Sequence, residues 1–436
     1  MIAAVAIALA VASGSADSCA LPSSERAPDP RCGETLDGRV PAAPSTARKV
    51  GRAALAGPRV VTQAVFYPVV RTADFLEYHH TVDWARAILT TDDGLVGVRP
   101  ELQYSTSFTP AGGLRFFYRR LPGAGSELML RARSGGPSIL LGQVGARTSD
   151  RIGLALLASV DRRNDRLFAG GGVLTDQELA AAGRVPARYA SDNLAAELRW
   201  TRRLPLRLVA SAHGDVQRRD YRVTDVRGGP PVTAVFEPEE MPGFARGVRL
   251  AHGGAGLALD LRDPARDGGG FSLGAGATVA RGLAGDPSRH ALLEAETVAG
   301  LGGRDRLVLL RARAAMVERL GSAPVPFDEL VIPSGVTDMR GFPTGRYRGE
   351  SALCASAEYR WYISAYLDAT VFADVGTVAG PRFAGSDWNR WFPSFGLGFR
   401  YYQPQGAYWQ AQAQDGVQLT YAPEGGFRVL LTMAAF

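Results

Sequence analysis

A guanidinium and two carboxylates are the side chains whose types and spacing suggest chemistry in this chain. Arg340 stands in "VTDMRGFPTGRYRGES", residues 336–351, followed by Gly341 and Phe342; Glu358 lies downstream in "AEYRW" and Asp374 in "FADVG". A Gly/Arg-rich stretch of this kind is open to several readings. It is not a phosphate loop, because no G-x-x-x-x-G-K-[ST] pattern precedes a helix. Nucleic-acid binding would need a broader basic surface, whereas the net charge is only +6 and the 49 basic residues are scattered. Ion pairing remains, since one guanidinium has donors enough to bridge two carboxylates. In that reading Gly341 lets the backbone turn sharply at the tip, and Phe342 wedges apolar surface beside the pair. An ordinary exposed loop, with the acids paired to arginines such as Arg360, is the competing reading.

The elements that must position these groups follow from periodicity. In "LCASAEYRW", Leu353, Ala355, Ala357, Tyr359 and Trp361 share one face, and Ser356, Glu358 and Arg360 the other. In the next apolar stretch Leu367, Ala369, Val371 and Ala373 oppose Asp368, Thr370, Phe372 and Asp374. A period of two marks a strand with unlike faces. If the apolar face meets lipid, Glu358 and Asp374 must face inward, because a carboxylate in the bilayer is costly. Two inward acids on neighbouring strands then repel unless a cation lies between them.

The same period recurs from residue 95 onward. Strands are expected to start near 95, 113, 126, 138, 152, 189, 204, 247, 269, 290, 306, 351, 366, 391, 417 and 427. Sixteen is an even number, as bacterial single-chain barrels require. The long connections, 165–188, 224–246 and 322–350, follow odd strands, while most others are short. Long loops on one side and short turns on the other are the pattern of an outer-membrane barrel. The expected fold is therefore all-β: a 16-stranded antiparallel transmembrane β-barrel over 95–436, preceded by a short N-terminal helical segment. By parity Arg115, Arg119, Arg131, Arg133, Arg199, Arg311, Arg313 and Arg400 line its lumen, either as a solvated wall or as a preference for anionic cargo.

"DMRGFPTGRYRGES", "ASAEYRW" and "VFADVGTV" together resemble the C-terminal barrel of the BamA/TamA superfamily, strongly over about 325–380 and more weakly over about 95–436. That superfamily includes outer-membrane assembly pores and two-partner secretion transporters. The resemblance implies that Arg340, Gly341 and Phe342 form the tip of the sixth outer loop. That tip would fold back into the barrel as a lock, with Arg340 pairing to Glu358 and Asp374 and with Phe372 and Gly376 as the supporting strand motif. It also implies assistance to polypeptide insertion or translocation, through the lumen or a weak seam between first and last strands. The alternative is a passive pore or structural surface antigen without a transport client. POTRA modules, usual before such barrels, are not expected, because the preceding residues show no strand pattern.

Residues 1–16 read as a secretory signal peptide and 17–46 as a flexible leader. Residues 47–90 read as one or two amphipathic helices broken near Pro68, a possible plug or periplasmic cap. Cys19 and Cys32 are a possible disulfide in an exported protein, two unpaired thiols and lipid attachment at Cys19 being the alternatives. The five histidines do not cluster at metal-ligand spacing, and no Ser/His pair of an outer-membrane lipase is evident. The expectation is a non-enzyme without metal or cofactor. It would sit in the outer membrane of a Gram-negative bacterium, in contact with lipid, an unfolded polypeptide client and a separate periplasmic subunit, and not with nucleic acid. Phe436 ends the chain on the parity of Arg428 and opposite Phe427, Val429, Leu431 and Met433.

Overall fold

The computed structural model describes residues 81–434 apart from breaks at 122, 150, 173, 227, 263–268, 303–305, 336–337, 365–366 and 402–415, together with 67–68, 71–72, 75 and 78–79. Cys19, Cys32, Phe436, the signal and the leader lie outside the described residues. Alternation of apolar and polar side chains produces sixteen antiparallel strands, each paired to its sequence neighbours, and β1 (Val96–Ser105) closes the ring on β16 (Gly426–Ala434). The intervening strands used below are β2 (Ala111–Arg119), β5 (Leu154–Phe168), β6 (Ala187–Arg203), β7 (Leu208–Val223), β8 (Val248–Asp260), β9 (Gly270–Gly282), β10 (Arg289–Gly302), β11 (Arg306–Arg319), β12 (Ser351–Ser364), β13 (Leu367–Ala379), β14 (Phe392–Tyr401) and β15 (Gly416–Ala422). The closing register is short, running from Glu101↔Ala434 to Ser105↔Leu430.

The strands begin close to where the alternation places them. The largest offset is at β7, which starts at Leu208 rather than 204. Pro205–Arg207 instead form a 3-10 turn in which Leu206 and Arg207 both sit at φ 59°. Outward-facing Leu114, Leu156, Leu194, Leu198, Leu257 and Leu273 are exposed, giving the wall a continuous apolar exterior. An exposed apolar surface of this extent is unsuited to water and fits a hydrocarbon layer. Among the described residues no helix is long and apolar enough to cross a membrane, so crossing falls to the strands.

Ahead of the barrel, helix α1 (Thr81–Leu89) leaves Trp84 and Ile88 exposed. Tyr67 and Pro68 are themselves helical, and Thr72 Oγ1 donates to the Pro68 carbonyl one turn back (2.9 Å), although the sequence suggests a break near Pro68. The outer loops fold over one mouth of the barrel. Phe327 of outer loop 6 (320–350) is fully buried against Phe168, Tyr189 and Phe244, with Tyr221 beside them. Short helix α2 (Asp176–Ala181) in outer loop 3 (169–186) starts with a capping box, Thr175 Oγ1 accepting from Glu178 N–H and Glu178 accepting from Thr175 N–H.

Candidate functional site: the tip of outer loop 6 inside the barrel

Outer loop 6 turns back into the lumen and packs against the wall formed by β11 to β15. Met339, Phe342 and Tyr347 are buried there with Val317, Cys354, Phe392 and Ala422. At the tip Arg340 is only 3% exposed. Its Nε donates to Asp374 Oδ2 (2.9 Å), its Nη2 to Asp374 Oδ1 (2.7 Å) and its Nη1 to Glu358 Oε2 (2.8 Å). Its backbone N–H also reaches Asp374 Oδ2 (3.1 Å), and Ser356 Oγ accepts from Nη2 at 3.1 Å while donating to Asp374 Oδ1 at 2.7 Å. The fork on Asp374 is bidentate, the arrangement in which arginine binds a carboxylate most firmly. The guanidinium carbon lies 3.4 Å from the centre of the Phe372 ring, so cation–π attraction adds to the ion pairs.

Strand parity explains why these side chains meet. Ser356 faces Asp374 and Glu358 faces Phe372 across the β12–β13 ladder, so all four project inward as two adjacent rows. Glu358 is shared among three cations, accepting also from Arg360 Nε and from Arg400 Nη2 (3.1 Å). Among the described residues Asp374 has no second guanidinium and depends on Arg340. The lumenal arginines of β11 are likewise occupied. Asp338, two residues before Arg340, pairs with Arg313 Nη1 (2.7 Å) and Arg311 Nη1 (3.2 Å).

The supporting residues act by making room. Gly341 does not occupy positive φ, so it is not needed for a sharp turn. A Cβ there would lie 2.4 Å from Ser394 Cβ and 3.0 Å from Ala422 Cβ, and its N–H donates to Ser394 Oγ at 3.2 Å. Close approach to β14 and β15 is what requires glycine. Gly376 admits Met339, whose sulfur would be 2.6 Å from an added Cβ, and Gly396 admits Phe372, whose Cζ would be 2.2 Å away. Phe342 does not lie beside the ion pair. It is buried against Tyr347 (ring centres 5.1 Å apart) and edge-on to Phe392, and Phe372 is the aromatic ring that faces the guanidinium.

Residues not singled out by spacing complete the site. Arg428 of β16 donates from Nη1 to the Arg340 carbonyl (3.1 Å) and from Nη2 to Ser105 Oγ on β1 (2.7 Å). The loop tip, the last strand and the first strand therefore meet in one side chain. Arg348 anchors the base of the loop, donating to the carbonyls of Phe327 and Leu167 (3.1 Å each) and to the Tyr189 hydroxyl (3.2 Å). Its place in a loop gives no hint of these partners in sequence, because two of them come from the distant strands β5 and β6. The whole arrangement holds a loop, two strands and the barrel closure in fixed relation.

No protein-family model and no curated protein matches this chain. Among solved structures, the chain is similar to BamA from Haemophilus ducreyi lacking POTRA domains 1–3, with a TM-score of 0.50 and 14% identity, over 78% of this chain and 70% of that one. It is also similar to CdiB from Acinetobacter baumannii, with a TM-score of 0.46 and 13% identity, over 77% of this chain and 60% of that one. The chain has the sixteen-stranded barrel fold of BamA.

Proposed function

We propose that the protein resides in the outer membrane of a Gram-negative bacterium and assists insertion or translocation of polypeptides, with the tip of outer loop 6 acting as an internal lock. The single observation that carries this reading is Arg340, buried and bridging Asp374 and Glu358 while its carbonyl is held by Arg428 next to the β1–β16 closure. A solvated pore wall has no use for a loop tip bonded to two strands and to the seam. The BamA fold supports the reading, and the packing of outer loop 6 around Phe327 against β5 and β6 weighs against an unobstructed passive pore. The partners in this reading are lipid, an unfolded client and a separate periplasmic subunit. The test is an Arg340→Ala strain in which the barrel still inserts. The lock requires lost export or assembly of at least one outer-membrane or secreted protein by quantitative proteomics. An unchanged outer-membrane and secreted proteome in both that strain and a deletion strain would overturn the function.

A further inference from the structure

The folded barrel brings two histidines together that stand 38 residues apart in sequence. His252 on β8 and His290 on β10 both flank Ala280 of β9 in register, His252↔Ala280 and Ala280↔His290. Ala280 is small and buried, which leaves the space above it to the two imidazoles. Glu329 of outer loop 6 descends into that space. Its Oε2 lies 3.2 Å from Nε2 of His252 and 3.2 Å from Nε2 of His290. The three side chains are 7%, 2% and 12% exposed.

We propose that His252 Nε2, His290 Nε2 and Glu329 Oε2 bind a divalent transition-metal ion of the zinc class, tying outer loop 6 to β8 and β10 near the outer mouth. Zinc takes imidazole nitrogen and carboxylate oxygen in tetrahedral sites with bonds of about 2.0–2.1 Å, which sets neighbouring ligand atoms about 3.3 Å apart. The two 3.2 Å separations match that edge. The hydrogen-bond pattern points the same way. Asp215 Oδ1 is 2.8 Å from His252 Nδ1, with the Gln217 amide nitrogen beside the same atom at 2.9 Å. When Nδ1–H donates to Asp215, the Gln217 amide nitrogen beside it is not its hydrogen-bond partner, and the Nε2 lone pair is left directed at the metal position, the carboxylate–histidine–metal relay of bound sites. Glu329 is oriented by Arg219, whose Nη1 holds Oε1 at 2.6 Å and Asp328 Oδ2 at 2.6 Å, so one oxygen of Glu329 is fixed and the other is presented. Asp215, Asp328 and Glu329 against Arg219 leave an excess of two carboxylate charges, which a dication balances. Among the described residues His290 Nδ1 is buried without a partner, so His290 lacks the orienting contact that Asp215 gives His252.

The experiment uses the full chain in detergent, purified without a polyhistidine tag, stripped with chelator and titrated with zinc alone. The expected result is one zinc per barrel by elemental analysis, and a cobalt-substituted form with the intense visible bands of four-coordination. Glu329→Gln, which keeps the shape of the side chain, and His290→Ala should each lose stoichiometric zinc while remaining heat-modifiable on gels. Asp215→Asn should weaken binding about 10- to 100-fold, the usual cost of losing an orienting partner. His79→Ala should change nothing. Absence of stoichiometric zinc in the unaltered chain, or its retention in both Glu329→Gln and His290→Ala, would overturn the proposal.

Discussion

Replacing Arg340 by Ala isolates the ion-pair network at the loop tip. The substitution removes the guanidinium contacts to Asp374, Glu358 and Ser356 and the stacking on Phe372. Its two acids are not left alike. Glu358 keeps Arg360 and Arg400, whereas among the described residues Asp374 keeps only the Ser356 hydroxyl and the backbone N–H of residue 340. Leaving one buried charge without its partner costs roughly 3–5 kcal/mol, and a desolvated cation–π contact adds about 1–2 kcal/mol. The expected loss is therefore roughly 4–7 kcal/mol, most of it from Asp374. Adding Asp374→Ala should recover about 2 kcal/mol, because the orphaned charge goes with it. Adding Glu358→Ala should recover nothing, since that change strands Arg360 and Arg400. Equilibrium urea unfolding in micelles, followed by tryptophan fluorescence, measures all four proteins. The reasoning fails if Arg340→Ala lies within about 1 kcal/mol of the parent, or if Glu358→Ala rather than Asp374→Ala rescues it.

Three further outcomes follow from the same contacts. Arg428→Gln should loosen the barrel closure, so that hydrogen exchange at Leu102–Ser105 accelerates while β6–β7 amides are unchanged. Gly341→Ala should cost roughly 1–3 kcal/mol by overpacking against β14, and Ser394→Gly in the same chain should recover part of it, both read as shifts in the unfolding midpoint. In the outer loops, hydrogen bonds from Arg390, then the Thr175 backbone N–H, hold the Glu178 carboxyl down to about 2 from 4.5. Because the folded value is depressed, the link between outer loops 3 and 7 (380–391) is complete above pH 4.5 and is lost as pH falls through about 2. A side-chain NMR titration of Glu178 checks this, and Arg390→Ala should return its midpoint toward 4.5.

Much of this molecule was legible because a wall between lipid and lumen forces a period of two on every strand. That constraint placed sixteen strands and put Glu358 and Asp374 on the inward face before any contact was known. Register is a different matter, since no single strand encodes its neighbour's offset. The pairing of Ser356 with Asp374, the arrival of Arg428 at Ser105 and the row His252, Ala280, His290 all depend on offsets between strands. The histidines looked scattered for that reason. Gly341 hides its role for another reason, because a glycine reads in sequence as a turn, and only packing reveals that Ser394 needs the space.

The two hydrogen bonds of Arg428 bear on the order in which the chain reaches its native form. Ser105 and Arg428 are separated by 323 residues, so ring closure is among the most non-local events in folding, and such contacts form slowly. Arg340 meets Glu358 and Asp374 across only 18 and 34 residues, so the tip can seat while the ends are still apart. Once seated, the Arg340 carbonyl and Gly341 present a finished surface to β15 and β16. In the folded barrel the tip packs against both strands of the last hairpin, so the seat of the loop and the register of that hairpin are set by the same contacts.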